Sequence, residues 1–328
     1  MNSHFHIRTR CPACHETESR TILDIAYSDN KIRTLIERMY SSYKIEYGYL
    51  SKNNYVLEEC TRCGVIYQKE IPGAFLLNKV YGEWLDIDTV NVTKNKTKRI
   101  NRPVGNARLL VDVIKYMDTP PGDIAVFDFG MGLGDWCRLA QGFGFKVSGN
   151  DISEERMQHA RSAGIDAVSY EDIPSREFDF INSYQVFEHL DEPLDTLNHL
   201  CRALKPNGIM RLAVPNGSAM KERLDFWDLT STSLPDDTQS PFRQNIEQSL
   251  NPVSPFEHIN CYDHDALISL AKNAGLTPIS IPNWLVIANN RKPTMKSSIR
   301  GALRQFYYAI AAKKPTRTGT DLIFKKAG

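Results

Sequence analysis

The chain has 328 residues, 41% of them hydrophobic and 24% charged, with a formal net charge of +1. That length holds one sizeable α/β domain plus a smaller appendage, and the composition excludes disorder over most of the chain. The near-neutral charge gives no general pull toward nucleic acid or an anionic membrane surface. No apolar run reaches the ~18–20 residues that span a bilayer. The opening MNSHFHIRTR lacks the apolar core of a signal peptide, so the expected location is cytoplasmic.

The first organised feature is a cysteine pattern. Cys11 and Cys14 form CPAC, and Cys60 and Cys63 form CTRCG. A reducing compartment disfavours disulfides, and a thioredoxin-like redox site needs a single CxxC within a βαβ pattern. Two CxxC pairs fit a tetrahedral zinc ion held by Cys11, Cys14, Cys60 and Cys63. Four thiolates close the coordination sphere, so Zn2+ is expected to be structural. Gly64, directly after the second pair, can take the positive φ that such a turn needs. Cys137, Cys201 and Cys261 stand alone in periodic segments and read as core. Residues 1–70 are thus expected to form a zinc-ribbon-like module, with a helix near Lys31–Tyr43 and strands at Tyr55–Glu59 and Val65–Tyr67.

Residues 71–107 read as a connector. From Lys94 to Arg108 it carries six basic residues (Lys94, Lys96, Lys98, Arg99, Arg102, Arg108) and no acidic one. A helix, Ala107–Met117, ends at the turn signal TPPGD. Strand and helix then alternate: strands at Ile124–Phe129, Lys146–Asn150, Ala167–Ser169, Phe178–Tyr184 and Ile209–Val214, with helices at Asp135–Gln141, Glu154–Ala163, Leu194–Leu204 and Ala266–Ala274. That alternation predicts an α/β fold with a parallel sheet and crossover helices over 108–328.

The turn after the first of these strands reads VFDFGMGLGDW. Gly130, Gly132 and Gly134 give GxGxG, whereas a dinucleotide fingerprint is GxGxxG. Asp135 stands where the last glycine of that fingerprint would be. Asp128, two residues before the first glycine, suits a cationic ligand better than a pyrophosphate. Asp151 ends the second strand, where a carboxylate can accept from both ribose hydroxyls.

With these residues in place, the stretch from about 124 to 280 resembles class I S-adenosylmethionine-dependent methyltransferases, especially the broad small-molecule group. VFDFGMGLGDW looks like their first motif and SGNDISEERMQHAR like their second-strand acidic motif. EFDFINSYQVFEHLDEPLDTLNHLCRALKPNGIMRLAVPN resembles their fourth- and fifth-strand blocks. The resemblance implies a Rossmann-like, mostly parallel seven-stranded sheet with helices on both faces, and S-adenosyl-L-methionine as co-substrate. It implies Asp128 and Gly130 near the amino-acid part of the cofactor, Asp151 on the ribose and Ile152 against the adenine. It places Asp172 at the adenine amino group, and Ser183, Tyr184 and Gln185 along the pocket. The segment between Asp172 and Phe178 is short for that family.

Methyl transfer needs a positioned, desolvated nucleophile and sometimes a base. His189, in FEHL, belongs to the family pattern and reads first as structural. His258, in SPFEHINCYDHD, follows a long Pro-rich segment expected to form a lid over about 217–256. With Glu257 or Tyr262 beside it, His258 is the candidate base or substrate-orienting group; a lid anchor is the competing reading. A second insertion, about 291–318, carries eight basic residues between Arg291 and Arg317 and apolar residues at helical spacing. It reads as a solvated helix face or as a grip on a phosphate-bearing acceptor. The expected function is methyl transfer to a small molecule, such as an activated sugar or a secondary-metabolite intermediate. The alternatives are an RNA methyltransferase, a non-catalytic zinc-stabilised binding protein and an NAD-dependent oxidoreductase. Against RNA stand the neutral charge and the absence of aromatics interleaved as a single-strand platform.

Overall fold

A computed structural model describes residues 4–39, 45–84, 96–218, 220, 252–281 and 320–327. The chain divides into two compact units: Met1–Lys94, Phe187–Leu194 and Val214–Asn273 make the first, and Asn95–Val186, Asp195–Ala213 and Ala274–Gly328 the second.

In the first unit, β1 (Phe5–Ile7) pairs antiparallel with β5 (Glu70–Pro72). A four-stranded sheet runs in the order β11 (Asn260–Cys261), β4 (Ile66–Gln68), β3 (Asn54–Cys60), β2 (Ser19–Ala26), with every pairing antiparallel. The register of β2 on β3 sets Ser19 opposite Cys60. This brings the end of the first CxxC segment beside the second, although 45 residues separate Cys14 from Cys60. The core beneath contains Tyr27, Ile32, Ile36, Leu57 and Phe256. Tyr27 and Phe256 stack with ring centroids 6.1 Å apart, and the Tyr27 hydroxyl donates to the Pro255 carbonyl at 3.3 Å. Burying large aromatics dominates the energetics of a core this small. Helices α1 (Asn30–Met39), α2 (Ala74–Lys79) and α7 (His264–Asn273) belong to this unit.

The second unit is an α/β layer built on a seven-stranded sheet. Its order is β12 (Leu276–Ile279), β13 (Thr320–Lys326), β10 (Leu204–Val214), β9 (Phe178–Tyr184), β6 (Ala125–Phe129), β7 (Lys146–Asn150), β8 (Asp166–Ala167). The run from β10 to β8 is parallel, and β12 lies antiparallel to β13. Parallel neighbours need crossovers; α4 (Asp135–Gly142), α5 (Glu154–Ser162) and α6 (Pro193–Ala203) occur between these strands in sequence, after α3 (Lys96–Met117). The apolar residues of β6, β9 and α4 bury Val126, Phe180, Trp136, Cys137 and Ala140 in one core with Leu110 and Val113 of α3. From β6 the chain goes outward to β7 and β8 on one side, and β9 pairs on the other. The strand order therefore reverses between β6 and β9, which in open α/β sheets marks the ligand crevice at the strands' carboxyl ends.

The expected mostly parallel α/β sheet is present. The helix expected at Ala107–Met117 begins earlier, at Lys96, and carries Pro103 inside it. Proline removes one N–H and crowds the carbonyl a turn earlier; residues 102–105 around it are exposed. The fifth strand starts at Leu204 rather than Ile209 and passes through KPNG with a register shift between the two. Residues 260–261 add a strand to the N-terminal sheet. Lys94, residues 40–43 of the first expected helix, most of the 217–256 insertion and the whole of 291–318 lie outside the described residues.

Candidate cofactor pocket, cysteine cluster and histidine cluster

The glycine turn after β6 is built as its sequence requires. Gly130, Gly132 and Gly134 have φ of +77°, +58° and +77°, a region open to glycine without strain. A Cβ on Gly130 would lie 2.4 Å from Val186 Cγ2, and one on Gly134 2.5 Å from Ile165 Cδ1, whereas one on Gly132 meets nothing within 4 Å. The outer glycines permit packing; the middle one leaves open space beside its backbone. The Gly132 N–H donates to Asp151 Oδ2 at 2.9 Å. Asp151 Oδ1 accepts from the Ser153 N–H at 3.0 Å and from Arg156 at 3.4 Å. The acidic residue that follows β7 is thereby fixed against the glycine turn. Ile152, next to it, is completely exposed.

Across the switch point, the end of β9 presents Ser183, Tyr184 and Gln185. Ser183 is 1% exposed, and its Oγ has no hydrogen-bond partner among the described residues. Gln185 holds φ at +59°, a strained conformation for a non-glycine residue and one that concentrates at functional sites. Its N–H donates to the Ala213 carbonyl at 2.7 Å. Asp172 is placed differently from the other pocket candidates. It is exposed, and its carboxylate accepts from Ser169 Oγ at 2.6 Å within a local turn.

Asp128 sits in a polar ladder that the sequence reading missed. Asn182 Nδ2 donates to Asp128 Oδ1 at 2.7 Å. Arg211 donates to Asn182 Oδ1 at 3.2 Å and to both carboxylate oxygens of Asp321 at 2.8 and 2.6 Å. The four residues stand on β6, β9, β10 and β13, neighbours in the sheet, with Asp128 opposite Asn182 and Asn182 opposite Arg211 in register. The guanidiniums of Arg102 and Arg211 lie 4.8 and 5.1 Å from the Tyr184 ring centre, within cation–π range. Burial pushes the Asp128 carboxyl up to about 6, against the opposing pull of Asn182, Arg211 and Arg102. The available signal was a lone Asn in FINSY and a lone Arg in IMRLAV, polar residues in otherwise apolar strands.

The four cysteines of the two CxxC pairs come together. Cys11 and Cys63 sulfurs are 3.5 Å apart, as are those of Cys14 and Cys60, and all four lie within 4.8 Å of one another. A tetrahedron with 2.3 Å metal–sulfur bonds has edges of about 3.8 Å. The two turns are built alike. The N–H of His15 donates to the Cys11 carbonyl (2.9 Å) and that of Gly64 to the Cys60 carbonyl (3.1 Å). The Cys11 and Cys60 N–H groups donate to the carbonyls of Glu16 (2.7 Å) and Val65 (3.0 Å). His15 and Gly64 both take positive φ, 60° and 73°. Burial raises the Cys14 thiol to about 12, whereas a hydrogen bond from Cys63 lowers that of Cys11 to about 6. The donor set and its spacing fit a tetrahedral thiophilic metal.

The third cluster joins the histidine candidates. His189 and His258 rings are 4.7 Å apart, edge to face. His189 Nδ1 lies 2.8 Å from the Glu257 carbonyl; a carbonyl only accepts, so Nδ1 carries the proton and Nε2 the lone pair. Burial, then His258, lowers the His189 imidazole to about 3. Glu188 is fully buried and burial raises its carboxyl to about 8. Tyr262 is also fully buried; its hydroxyl has no partner among the described residues, and burial pushes it well above its ordinary range. Arg8, missed in the sequence, frames this cluster. It donates to Asn260 Oδ1 (2.8 Å) and to the carbonyls of Leu190 (3.1 Å) and Asp191 (2.8 Å). Asn260 Nδ2 in turn donates to the carbonyls of Phe187 (3.1 Å) and Leu190 (2.7 Å). The segment bearing Glu188 and His189 is thus held from both sides.

The sequence is 28% identical over 123 residues to the 2-methyl-6-phytyl-1,4-hydroquinone methyltransferase of Synechocystis sp., covering 34% of this chain and 39% of that protein. It is 29% identical over 119 residues to the ubiquinone biosynthesis O-methyltransferase of Thiobacillus denitrificans, covering 32% of this chain and 51% of that one. The matches therefore span only 39% and 51% of these relatives' own lengths. Among solved structures, the plantazolicin methyltransferase BamL, in complex with an analog and SAH, is similar at 14% identity over 77% of this chain and 94% of that one, with a TM-score of 0.46. The family described as "Methyltransferase domain" matches residues 101–281, more than half of the chain, and the protein belongs to that family.

Proposed function

We propose that the protein transfers a methyl group from S-adenosyl-L-methionine to a small-molecule acceptor, and that Cys11, Cys14, Cys60 and Cys63 hold a structural Zn2+. The observation that carries the first part is the coupling of the glycine turn to Asp151 at the sheet's switch point. There, Asp151 would accept from the ribose hydroxyls, Ile152 would be covered by the adenine, and Gly132 would let the ligand approach the backbone. Asp128 would face the cationic amino-acid end of the cofactor, with Gly130 and Gly134 shaping the turn. Ser183, Tyr184 and Gln185 line the opposite wall, and the Ser183 hydroxyl supplies an unused donor. Asp172 would accept from the adenine amino group.

A dinucleotide fits this turn poorly. Asp135 opens α4 with a carboxylate paired to Arg138, at the helix end where a pyrophosphate would need to sit. The names of the curated relatives, a hydroquinone and a ubiquinone-biosynthesis methyltransferase, support a small-molecule acceptor over RNA. In the transfer, the acceptor's lone pair bonds the sulfonium methyl, the S–CH3 bond breaks, and S-adenosylhomocysteine leaves. His258 would orient the acceptor, with His189 and Tyr262 as supports beside it. Four thiolates leave the zinc no open position, so its part is to fix the two CxxC turns.

Calorimetric titration with S-adenosylhomocysteine tests the reading, with NAD as control and Asp151→Ala as comparison. Micromolar binding that the substitution abolishes, with NAD silent, is expected. Preferential binding of NAD, or no binding of the homocysteine product, overturns it.

A further inference from the structure

We infer that Glu188, His189 and His258 form a second metal site, for a divalent first-row transition ion, separate from the four cysteines. One ligand atom from each lies within 4.8 Å of the others. Glu188 and His189 are consecutive in a short 3-10 turn, Phe187–His189, and His189 Nε2 is 3.9 Å from Glu188 Oε1.

Two independent features point to an ion. Both carboxylate oxygens of Glu188 are buried and lack a hydrogen-bond partner among the described residues. A buried carboxyl left unsatisfied costs several kcal/mol, so native structures supply such groups with a partner. A proton on Glu188 does not resolve this, because 3.9 Å to Nε2 is too long for a hydrogen bond. The second feature is the histidine's tautomer. His189 donates from Nδ1 to the Glu257 carbonyl, which leaves Nε2 as the free lone pair on the side of Glu188. Metal-binding histidines are oriented by this kind of outer hydrogen bond.

Two imidazoles and one carboxylate suit zinc, iron, cobalt or nickel rather than calcium or magnesium, and such a set leaves coordination positions open. The side chains of His189 and His258 are only partly buried, so an ion here can take a further oxygen ligand. An acceptor hydroxyl bound there would lose its proton more readily, and the two histidines would then orient the acceptor through the ion. Metal binding itself does not rest on the methyl-transfer reading, and its test is read without turnover.

The experiment is equilibrium dialysis of the full-length chain against Zn2+, with metal content measured for the wild type, Glu188→Gln and His258→Ala. The expected result is about two ions per chain in the wild type and about one in each variant, since loss of a ligand weakens a site by tenfold or more. Co2+ added to protein whose thiolate site is already filled should give weak visible bands without thiolate charge transfer, and Glu188→Gln should lose them. Circular dichroism and S-adenosylhomocysteine binding check that each variant is folded; should Glu188→Gln misfold, His258→Ala and the wild-type cobalt spectrum decide. One ion per chain in the wild type, or two retained in folded variants, overturns the proposal.

Discussion

The charge state of Asp128 should control cofactor affinity between pH 5 and 7. Its carboxyl is buried on β6, flanked by Asn182, Arg211, Arg102, Asp151 and Cys137, and is held up at about 6. In the free protein the protonated form is favoured relative to the unfolded chain. Its contribution to stability is therefore present below the ordinary carboxylate value and is lost as pH rises through about 6. A cationic ligand group reverses the preference, because it binds the ionised form and must release the proton. At pH 5 roughly one Asp128 in eleven is ionised, and at pH 7 roughly ten in eleven, so affinity for S-adenosylhomocysteine should fall about tenfold from pH 7 to 5, or ~1.4 kcal/mol. The α-ammonium of the ligand does not titrate in this window, which leaves the slope to the protein. Calorimetry at several pH values in two buffers of different ionisation enthalpy reads both the affinity and the proton released. Asp128→Asn should bind more weakly at pH 7 and with a flat profile. A wild-type profile that is flat, or a slope that survives in Asp128→Asn, would refute the assignment.

Three further outcomes follow from the same geometry. Gly130→Ala should cost about 2–4 kcal/mol of stability, from left-handed backbone strain plus the contact with Val186, whereas Gly132→Ala should cost nearer ~1 kcal/mol yet weaken cofactor binding more; urea denaturation and calorimetry separate the two. Removing metal with a chelator under reducing conditions should lower the melting temperature, because ion binding by four thiolates is worth on the order of 10 kcal/mol to a folded site; an unchanged melt would exclude a structural metal. Arg8→Met should destabilise the protein by about 3 kcal/mol, since it strands the acceptors on Asn260, Leu190 and Asp191, and it should do so without reducing the cysteine-bound metal measured by dialysis.

The sequence by itself determined the local chemistry. CxxC spacing marked the four sulfurs that come together, because a tight turn delivers two sulfurs with no help from elsewhere. The alternation of apolar strand and amphipathic helix marked the parallel sheet, and GxGxG followed by Asp151 marked the candidate pocket. Each of these signals is written within a few residues of chain. What only tertiary structure decided involves partners far apart in sequence. Asp128, Asn182, Arg211 and Asp321 span nearly two hundred positions and become a ladder only when β6, β9, β10 and β13 are laid side by side. Arg8 finds Asn260 across 252 positions. Glu188 could be named as a family letter, but its unsatisfied carboxylate exists only because packing around Phe187–His189 removes water from it. Burial is a property of the assembled chain, and burial is what turns an ordinary carboxylate or imidazole into a group that needs a ligand.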